Sequence, residues 1–425
     1  MRTRIYDHSY NASTLAATLR RHDFKSAPKP DWDTFRQAIS AEAAISANTI
    51  FHGKNPLVKF HLKKKPAFRV GSLSDDLVVR KLAQNIKRIT TLHSPARGRL
   101  VKNVRHFLDE GVPYRIYRLD VRQFYESFSL IELRSSISSL AKLSPLSKQH
   151  ADSLLDYHSS LGGTGLPRGM ALSAVLADLM MQDFDSKVCS GASVYFYGRY
   201  VDDIVIVTNT SETKEDYLLL LAGLLPSGLK LNHKKTTVCT VAEKCKVEKS
   251  ALKAAVPRFL VDYLGYQFSV YDPTTPGTSE KSPHRVVRTE IAPTKIKKLK
   301  RRIVRIFVDF EKTADAQLLI DRIKFLTSNF SVIDKNTAKK KLAGVYFGYP
   351  ALSPDSKSLS ELDHFLRNAV LSNKGRLFKK WPAIATAALT RKVLAQSFKK
   401  GFSDKRFVYF SPVRIGEIQE CWRYE

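Results

Sequence analysis

The chain is poor in the residues that staple small folds or bridge metal ions. It has four cysteines in 425 residues: Cys189, Cys239, Cys245 and Cys421. No two of them stand at the Cys-x-x-Cys spacing of a structural zinc site, and nothing resembles a disulfide framework. They read as buried or free thiols of a reducing compartment. The eleven histidines do not cluster at ligand spacing. Walker A, HExxH and GxSxG patterns are missing, which sets aside P-loop, zincin and α/β-hydrolase chemistry. The run "GGTG" (Gly162–Gly165) is not a dinucleotide fingerprint. Long apolar runs are missing too. The longest, "LLLLAGLL" (Leu218–Leu225), falls well short of the roughly 20 residues that cross a bilayer. The opening "MRTRIYDHSYNAST" lacks the apolar core of a signal peptide. These absences give the expectation of a cytoplasmic chain with no membrane partner.

Acidic charge is scarce as well. Forty Asp and Glu face seventy Lys and Arg, a net charge of +30. A surplus of that size points to a polyanionic partner, nucleic acid first and an anionic membrane second. The plainer alternative is a solvated basic surface. The 43% apolar content is that of an ordinary folded protein, so a large core can form without staples. The length suits about two to four domains.

Hydrophobic periodicity predicts the elements. Residues 1–50 read as a helical extension, carried by "NASTLAATLRRHDF" and "WDTFRQAISAEAAISA". "PLVKFHLKKKPAFRVGSLS" (Pro56–Ser74) alternates like a β-hairpin with lysines near its turn. "DDLVVRKLAQNIKRI" (Asp75–Ile89) reads as a helix, acidic at its start and basic at its end. "YRIYRLDVRQFYESF" (Tyr114–Phe128) begins as a strand, and a Ser- and Leu-rich helical segment follows to about His158. "SSLGGTGLPRG" (Ser159–Gly169) is a glycine-punctuated loop. The next helix, Met170–Val188, has an expected apolar face of Leu172, Val175, Leu176, Leu179, Met180 and Phe184. "FYGRYVDDIVIVTN" (Phe196–Asn209) reads as strand, tight turn and strand. A helix (Lys214–Leu225), "GLKLNHKKTTV" (Gly228–Val238) and a strand pair (Pro257–Tyr271) come next. "DPTTPGTSEKSPHR" (Asp272–Arg285) reads as a polar linker, and a basic, mostly helical region follows. That order is an α+β pattern with an antiparallel sheet.

Four groups can carry chemistry. Asp120 ends a strand, and Asp202 and Asp203 sit at a hairpin turn. If those strands are neighbours, three carboxylates converge, and hard divalent cations such as Mg²⁺ or Mn²⁺ would relieve their repulsion. Two ions about 4 Å apart can activate an attacking hydroxyl and stabilise a leaving phosphate oxygen. A solvated turn is the other reading of the Asp pair. Phe124 and Tyr125, just past Asp120, can floor a nucleotide sugar or simply pack in a core. Lys63, Lys64, Lys65 and Arg69 can reach triphosphate oxygens or merely solubilise a turn. In "GLPRG" (Gly165–Gly169) the glycines allow close backbone approach to a ligand, and Arg168 can contact nucleotide or template. The same stretch also suits an ordinary helix entry.

The order of these motifs resembles that of a reverse transcriptase, from about Phe51 to Tyr271 and more loosely through the C-terminal helices. "YVDD" (Tyr200–Asp203) looks like the family's YxDD signature, and "LDVRQFY" (Leu119–Tyr125) like its first aspartate motif. "GLPRGMALS" (Gly165–Ser173) resembles the motif usually written with PQG. "GLKLNHKKT" (Gly228–Thr236) is similar to the lysine-bearing motif and "FLVDYLGY" (Phe259–Tyr266) to the primer-gripping hairpin.

The resemblance implies a right-hand polymerase: fingers (51–113), a palm with antiparallel sheet (114–271) carrying a fingers insertion at about 130–170, a linker (272–290), and a helical thumb and C-terminal region (291–425). It implies two metal ions on Asp120, Asp202 and Asp203, assisted by the Val121 carbonyl, and Tyr125 as a steric gate under the sugar. It implies Arg69, with Lys63 or Lys65, on the incoming dNTP, and Lys235 near the pyrophosphate. Arg168 would stand on the nucleotide side, and Tyr263, Leu264, Gly265 and Tyr266 would grip the primer. The implied partners are an RNA template, its DNA product and dNTPs. Arg168 departs from the glutamine of retroviral and intron-type enzymes. The wording "LPRG" and "YRLDVRQFYESF" is closer to bacterial retron, abortive-infection and defence-associated reverse transcriptases. The expected role is therefore antiphage defence, with a dedicated noncoding RNA or partner protein, and oligomerisation is compatible with it. The alternatives are a retron or group II intron-type enzyme, template-independent or protein-primed synthesis, and a non-catalytic RNA-binding protein.

Overall fold

The computed structural model describes residues 6–26, 31–62, 65–90, 95–242, 256–271, 285–333, 340–372, 381 and 383–422. Lys63, Lys64, Cys245 and most of the expected linker (272–284) lie outside the described residues. In chain order the first elements are α1 (Ala12–Ala16), α2 (Trp32–Asn48), β1 (Leu57–Leu62), β2 (Lys65–Val70), α3 (Leu73–Ile89) and α4 (Arg97–Leu108). They are followed by β3 (Tyr114–Asp120), α5 (Leu130–Ser138), α6 (Pro145–Ser160), α7 (Ala171–Cys189), β4 (Val194–Tyr200), β5 (Asp203–Thr208), α8 (Lys214–Leu224) and β6 (Thr237–Val241). Next come β7 (Phe259–Tyr263), β8 (Tyr266–Tyr271), β9 (Val286–Ile291), α9 (Pro293–Thr313), α10 (Ala316–Thr327), β10 (Asn329–Ile333), β11 (Lys340–Gly344), α11 (Val345–Gly348) and α12 (Lys357–Leu371). Three further helices, Ala387–Leu394, Phe398–Ser403 and Pro412–Glu420, follow. The fold is α+β, and every strand pair whose register is resolved is antiparallel, as the element order predicts.

The chain divides into two compact units. The first takes its described residues from Met1–Pro95 and Tyr114–Thr240, the second from Ala96–Pro113, Val241–Asp334 and Lys339–Glu425.

The first unit is built on a four-stranded sheet of order β4-β5-β3-β6. Successive residues of a strand face opposite sides. On one side Tyr117, Leu119, Ile204 and Ile206 enter the core with Leu172, Leu176 and Phe184 of α7. Asp120 and Asp203 belong to the other alternation. The buried stripe of α7 is Leu172, Leu176, Ala177, Met181, Phe184 and Val188. Sequence periodicity named Met180, but Met181 is the fully buried methionine, because the helix turns a slightly different face to the sheet.

Helix α3 lies deep in the same core. Ser72 caps it by accepting from the Asp75 amide at 3.1 Å, and Asp75, Asp76, Lys87 and Arg88 sit where the helix dipole favours them. Leu77, Val78, Leu82 and Ile86 are fully buried, yet Arg80, Lys81 and Asn85 are buried beside them. Buried polar groups need partners, and the N-terminal segment supplies them. The Arg80 guanidinium donates to both Asp23 carboxylate oxygens at 2.7 and 3.1 Å, Lys81 Nζ to the Asp7 carbonyl at 2.5 Å, and Asn85 Nδ2 to the His8 carbonyl at 2.9 Å.

The second unit holds a three-stranded sheet, β7-β8-β9, and the separate hairpin β10-β11. Residues 286–290, read from sequence as the end of the linker, are part of β9. "VVRTEI" alternates exposed and inward residues and pairs with β8 from Tyr271↔Val286 to Tyr266↔Ile291. The hairpin β10-β11 interrupts the region expected to be mostly helical. Helix α4 packs on β8 and β9. Helix α9 buries Ile296, Ile303, Ile306, Phe307 and Phe310 and leaves Lys297, Arg301 and Arg305 exposed at four-residue spacing.

Close backbone approaches in the first unit demand glycine, most sharply at Gly228. Gly228 has φ +86°, and a Cβ there would stand 2.1 Å from the Ser127 carbonyl oxygen. Gly228→Ala is expected to destabilise the protein by about 2–4 kcal/mol through combined strain and clash, visible as a lowered Tm. An unchanged Tm would show that this approach is not obligatory.

Candidate active site

The three aspartates converge in the first unit through strand register. β3 and β5 pair so that Asp120 stands directly across from Asp203. β4 and β5 are joined by a two-residue turn, Val201–Asp202, between the paired residues Tyr200 and Asp203. Asp202 is therefore next to the Asp120–Asp203 pair by covalent necessity. Its carboxyl is held above the usual range, first by burial and then by the negative charges of Asp203 and Asp120.

Each of the other two acids is met by a cation. Asp120 is 8% exposed; its Oδ1 accepts from Asn232 Nδ2 at 2.9 Å and its Oδ2 from Lys235 Nζ at 3.0 Å. Asp203 Oδ1 accepts from the Arg118 guanidinium at 3.1 Å. Asn232 and Lys235 arrive together because a tight turn, closed by the Lys235 and Thr236 amides on the Asn232 carbonyl, follows the bridge between Val121 and Leu231. The bonds flanking that bridge, Arg122 N–H to Lys230 O and Asn232 N–H to Asp120 O, do not use the Val121 carbonyl.

Tyr125 joins the same neighbourhood. Its hydroxyl is held above its usual pKa by burial and then by the charges of Asp202 and Asp178. The backbone beneath it is fixed by the 165–169 loop, where the Leu166 amide donates to the Tyr125 carbonyl at 2.7 Å. Gly165, at φ +60°, comes so close that a Cβ would lie 2.4 Å from that same carbonyl oxygen. Arg168 forms a two-pronged pair with Glu126, at 2.9 and 3.1 Å, and lies 5.9 Å from the centre of the Tyr125 ring. The Arg168 carbonyl accepts from the Phe68 amide at 2.8 Å, which ties the loop to β2 and brings Arg69 near it in the chain. Lys65 and Arg69, four residues apart, share one face of β2 and are exposed.

The remaining expected residues form a separate feature of the second unit. Leu264 and Gly265 make a two-residue turn with positive φ (47° and 81°) between Tyr263 and Tyr266, both buried. Arg97 donates to the Leu264 carbonyl at 2.6 and 3.1 Å and stacks over Tyr266 at 5.2 Å. Sequence reasoning named none of Asn232, Arg118, Glu126 or Arg97. Each takes its role from a partner at least 42 residues away in the chain, and no local signal marks it.

Residues 63–268 match the sequence family described as reverse transcriptase (RNA-dependent DNA polymerase). This segment is a reverse transcriptase domain. The enzyme class is RNA-directed DNA polymerase. No curated protein matches the chain as a relative. Among solved structures, telomerase from Candida albicans in complex with a TWJ fragment of telomeric RNA is similar at 12% identity. That match covers 91% of this chain and 68% of the other with a TM-score of 0.31. No helix of the described residues is long and apolar enough to cross a membrane.

Reverse transcriptase domains use divalent metal ions. The donor chemistry here suits one: hard carboxylate oxygens on adjacent strands, with Asp202 set in the negative field of Asp203 and Asp120, which a bound cation would relieve. Among the described residues no three such groups are closed around a common point. Asp120 and Asp203 are turned instead to Lys235 and Arg118.

The raised carboxyl of Asp202 has a thermodynamic consequence. Its ionised form is disfavoured by the fold, so the wild type loses stability as pH rises from the unfolded value of 3.8 through the higher folded value. In chelator-containing buffer, Asp202→Asn is expected to melt higher than wild type at pH 7, with the gain shrinking toward pH 4. An equal or lower Tm at pH 7 would contradict the assigned electrostatics.

Proposed function

We propose that the chain synthesises DNA on an RNA template by two-metal phosphoryl transfer, with Asp120, Asp202 and Asp203 as metal ligands. The observation that carries this reading is the register that sets Asp120 opposite Asp203, one residue from Asp202. The Val121 carbonyl completes the donor set. The ions, Mg²⁺ or Mn²⁺, when bound, lower the pKa of the primer 3′-hydroxyl and neutralise charge on the α-phosphate and the leaving pyrophosphate.

The chain's own residues position the reactants. Asp120 and Asp203 exchange their present cation partners for ligand duty. Lys235, released from Asp120, is then a flexible cation beside the site and serves the departing pyrophosphate. Tyr125 lies under the sugar and excludes a ribonucleotide 2′-hydroxyl, and Arg168, braced by Glu126, backs that ring. Arg69, with Lys65 and Lys63, meets the triphosphate; arginine does so through its planar fork. The loop tie between Phe68 and Arg168 supports a common frame for triphosphate and sugar contacts. Most of the rate comes from such positioning and charge neutralisation.

In the same reading, residues 51–113 act as fingers, 114–271 as palm and 291–425 as thumb. The turn of Tyr263, Leu264, Gly265 and Tyr266 grips the primer, and the exposed Lys297, Arg301 and Arg305 of α9 follow duplex phosphates. The wording "LPRG" and "YRLDVRQFYESF" favours a bacterial defence enzyme working with a dedicated noncoding RNA or partner protein.

Asp202→Ala combined with Asp203→Ala is expected to abolish dNTP incorporation on an RNA template–DNA primer while template binding persists. Incorporation at wild-type rate by the double variant would remove the site assignment. Tyr125→Ala is expected to retain polymerisation but accept ribonucleotides far more readily in competition assays. Unchanged sugar selectivity would place the gate elsewhere.

A further inference from the structure

The hairpin turn that presents Asp202 is built from an unfavourable residue. Val201 has φ +61°, in the left-handed region, where a β-branched side chain is a steric outlier. Such strain persists only where surrounding contacts over-determine the backbone. Those contacts converge on Arg199, two residues upstream. Its side chain is 9% exposed. Its Nε and one terminal nitrogen donate to the two Asp185 oxygens at 2.8 and 2.6 Å. Its other terminal nitrogen donates to Asp178 Oδ1 at 3.0 Å and to the Val201 carbonyl at 3.3 Å. Asp178 and Asp185 are seven residues apart, two turns along one face of α7. Asp185 also accepts from the Tyr197 hydroxyl, on the same face of β4 as Arg199. All three guanidinium nitrogens are thus used, and the strained carbonyl is fastened to a core helix.

We propose that Arg199 is a positioning residue for Asp202: by holding the Val201 carbonyl to α7, it fixes the Val201–Asp202 peptide and so the direction of the Asp202 carboxylate. The inference rests on the reading of Asp202 as a metal ligand. Arg199 touches no reacting group. It lies on the α7 side of the sheet, in the wall of a cleft of about 770 Å³ that also includes Tyr125, Asp178 and Val201. Helix α7 therefore serves as a common reference. The loop leading into it fixes the backbone of Tyr125, and its acidic face, through Arg199, fixes the turn that carries Asp202.

The guanidinium geometry is essential to this role, because an ammonium cannot span two carboxylates and a carbonyl in one plane. Arg199→Lys keeps the charge and much of the stem. It is expected to lower kcat roughly 10- to 100-fold, the scale of a misplaced catalytic group, with KM for dNTP within about twofold of wild type. In the metal-free protein, amide hydrogen exchange of a peptide covering 200–205 should rise while that of α7 stays at its wild-type level. Binding of Mn²⁺, followed by the paramagnetic resonance of the free ion, should weaken in parallel. Val201→Gly adopts positive φ without strain. The Arg199→Lys change should therefore cost much less kcat in a Val201→Gly background than in the wild-type one. Asp178→Asn, which removes a single partner, gives an intermediate loss and covers the case in which Arg199→Lys does not fold.

Three results would overturn the proposal: wild-type kcat in Arg199→Lys, full additivity with Val201→Gly, or exchange that rises along all of α7 together with KM, the pattern of plain structural loosening. Asp202→Ala serves as the control. If it remains active, the metal-ligand reading fails. If it is dead while Arg199→Lys matches wild type, only the positioning role fails.

Discussion

Strands β3 and β5 run antiparallel, and their register sets two carboxylates directly across from each other, with a third on the adjoining turn. Like charges opposite one another are destabilising in a sheet. The arrangement is sustained by Lys235 and Asn232 on Asp120, by Arg118 on Asp203, and by an apolar underside that fixes the register. A slip of one residue in either strand would move its apolar residue, Leu119 or Ile204, out of the core and turn its aspartate inward. Burial of the neighbours thus dictates where the acids stand. The acids stand at the end of the strand pair, on the face opposite Leu119 and Ile204, where Ile116, Val205 and Val207 are buried farther along the same strands.

Around that pair the protein relies on rigid, buried polar contacts more than on flexible surface charge. The 165–169 loop touches the backbone of Tyr125 at a distance only glycine allows and is bonded to β2 through Phe68. Helix α3 is wrapped by an N-terminal segment that answers its buried Arg80, Lys81 and Asn85. Paired buried charges add little net stability but are costly to break, so they penalise alternative packings. The net charge of +30 is of another kind: exposed cations such as those of α9 and β2 set a long-range positive field around the protein.

Much of this was legible in the residues. The aromatic and β-branched residues of "YRIYRLD" and the apolar run of "DIVIVT" mark two strands, and the aspartates mark their ends. Paired acids on a short turn could be mere solvated polar groups; strand register sets Asp120 across from Asp203, beside them. The α7 periodicity was readable to within one residue, because helical faces are broad and the buried Met181 adjoins the expected Met180. Strand β9 was harder. Six alternating residues follow a run of Pro, Gly and Ser, and their pairing partner, β8, is what makes them a strand. The β10-β11 hairpin lies between helices, where local pattern is weak and cross-strand contacts decide.

The sequence by itself determined the enzyme class, through motifs in the order of a reverse transcriptase, and with its basic surplus it marked a polyanionic partner. It did so because those features are local in composition and spacing. Only the tertiary structure decided which side chains hold them in place. Asn232 reaches Asp120 across 112 positions, and Glu126 meets Arg168 across 42. Arg199, two residues from its turn, takes its function from Asp178 and Asp185 on another element. A hydrogen bond is specified by distance and direction in space, and no spacing along the chain encodes either until the sheet and helix are packed together.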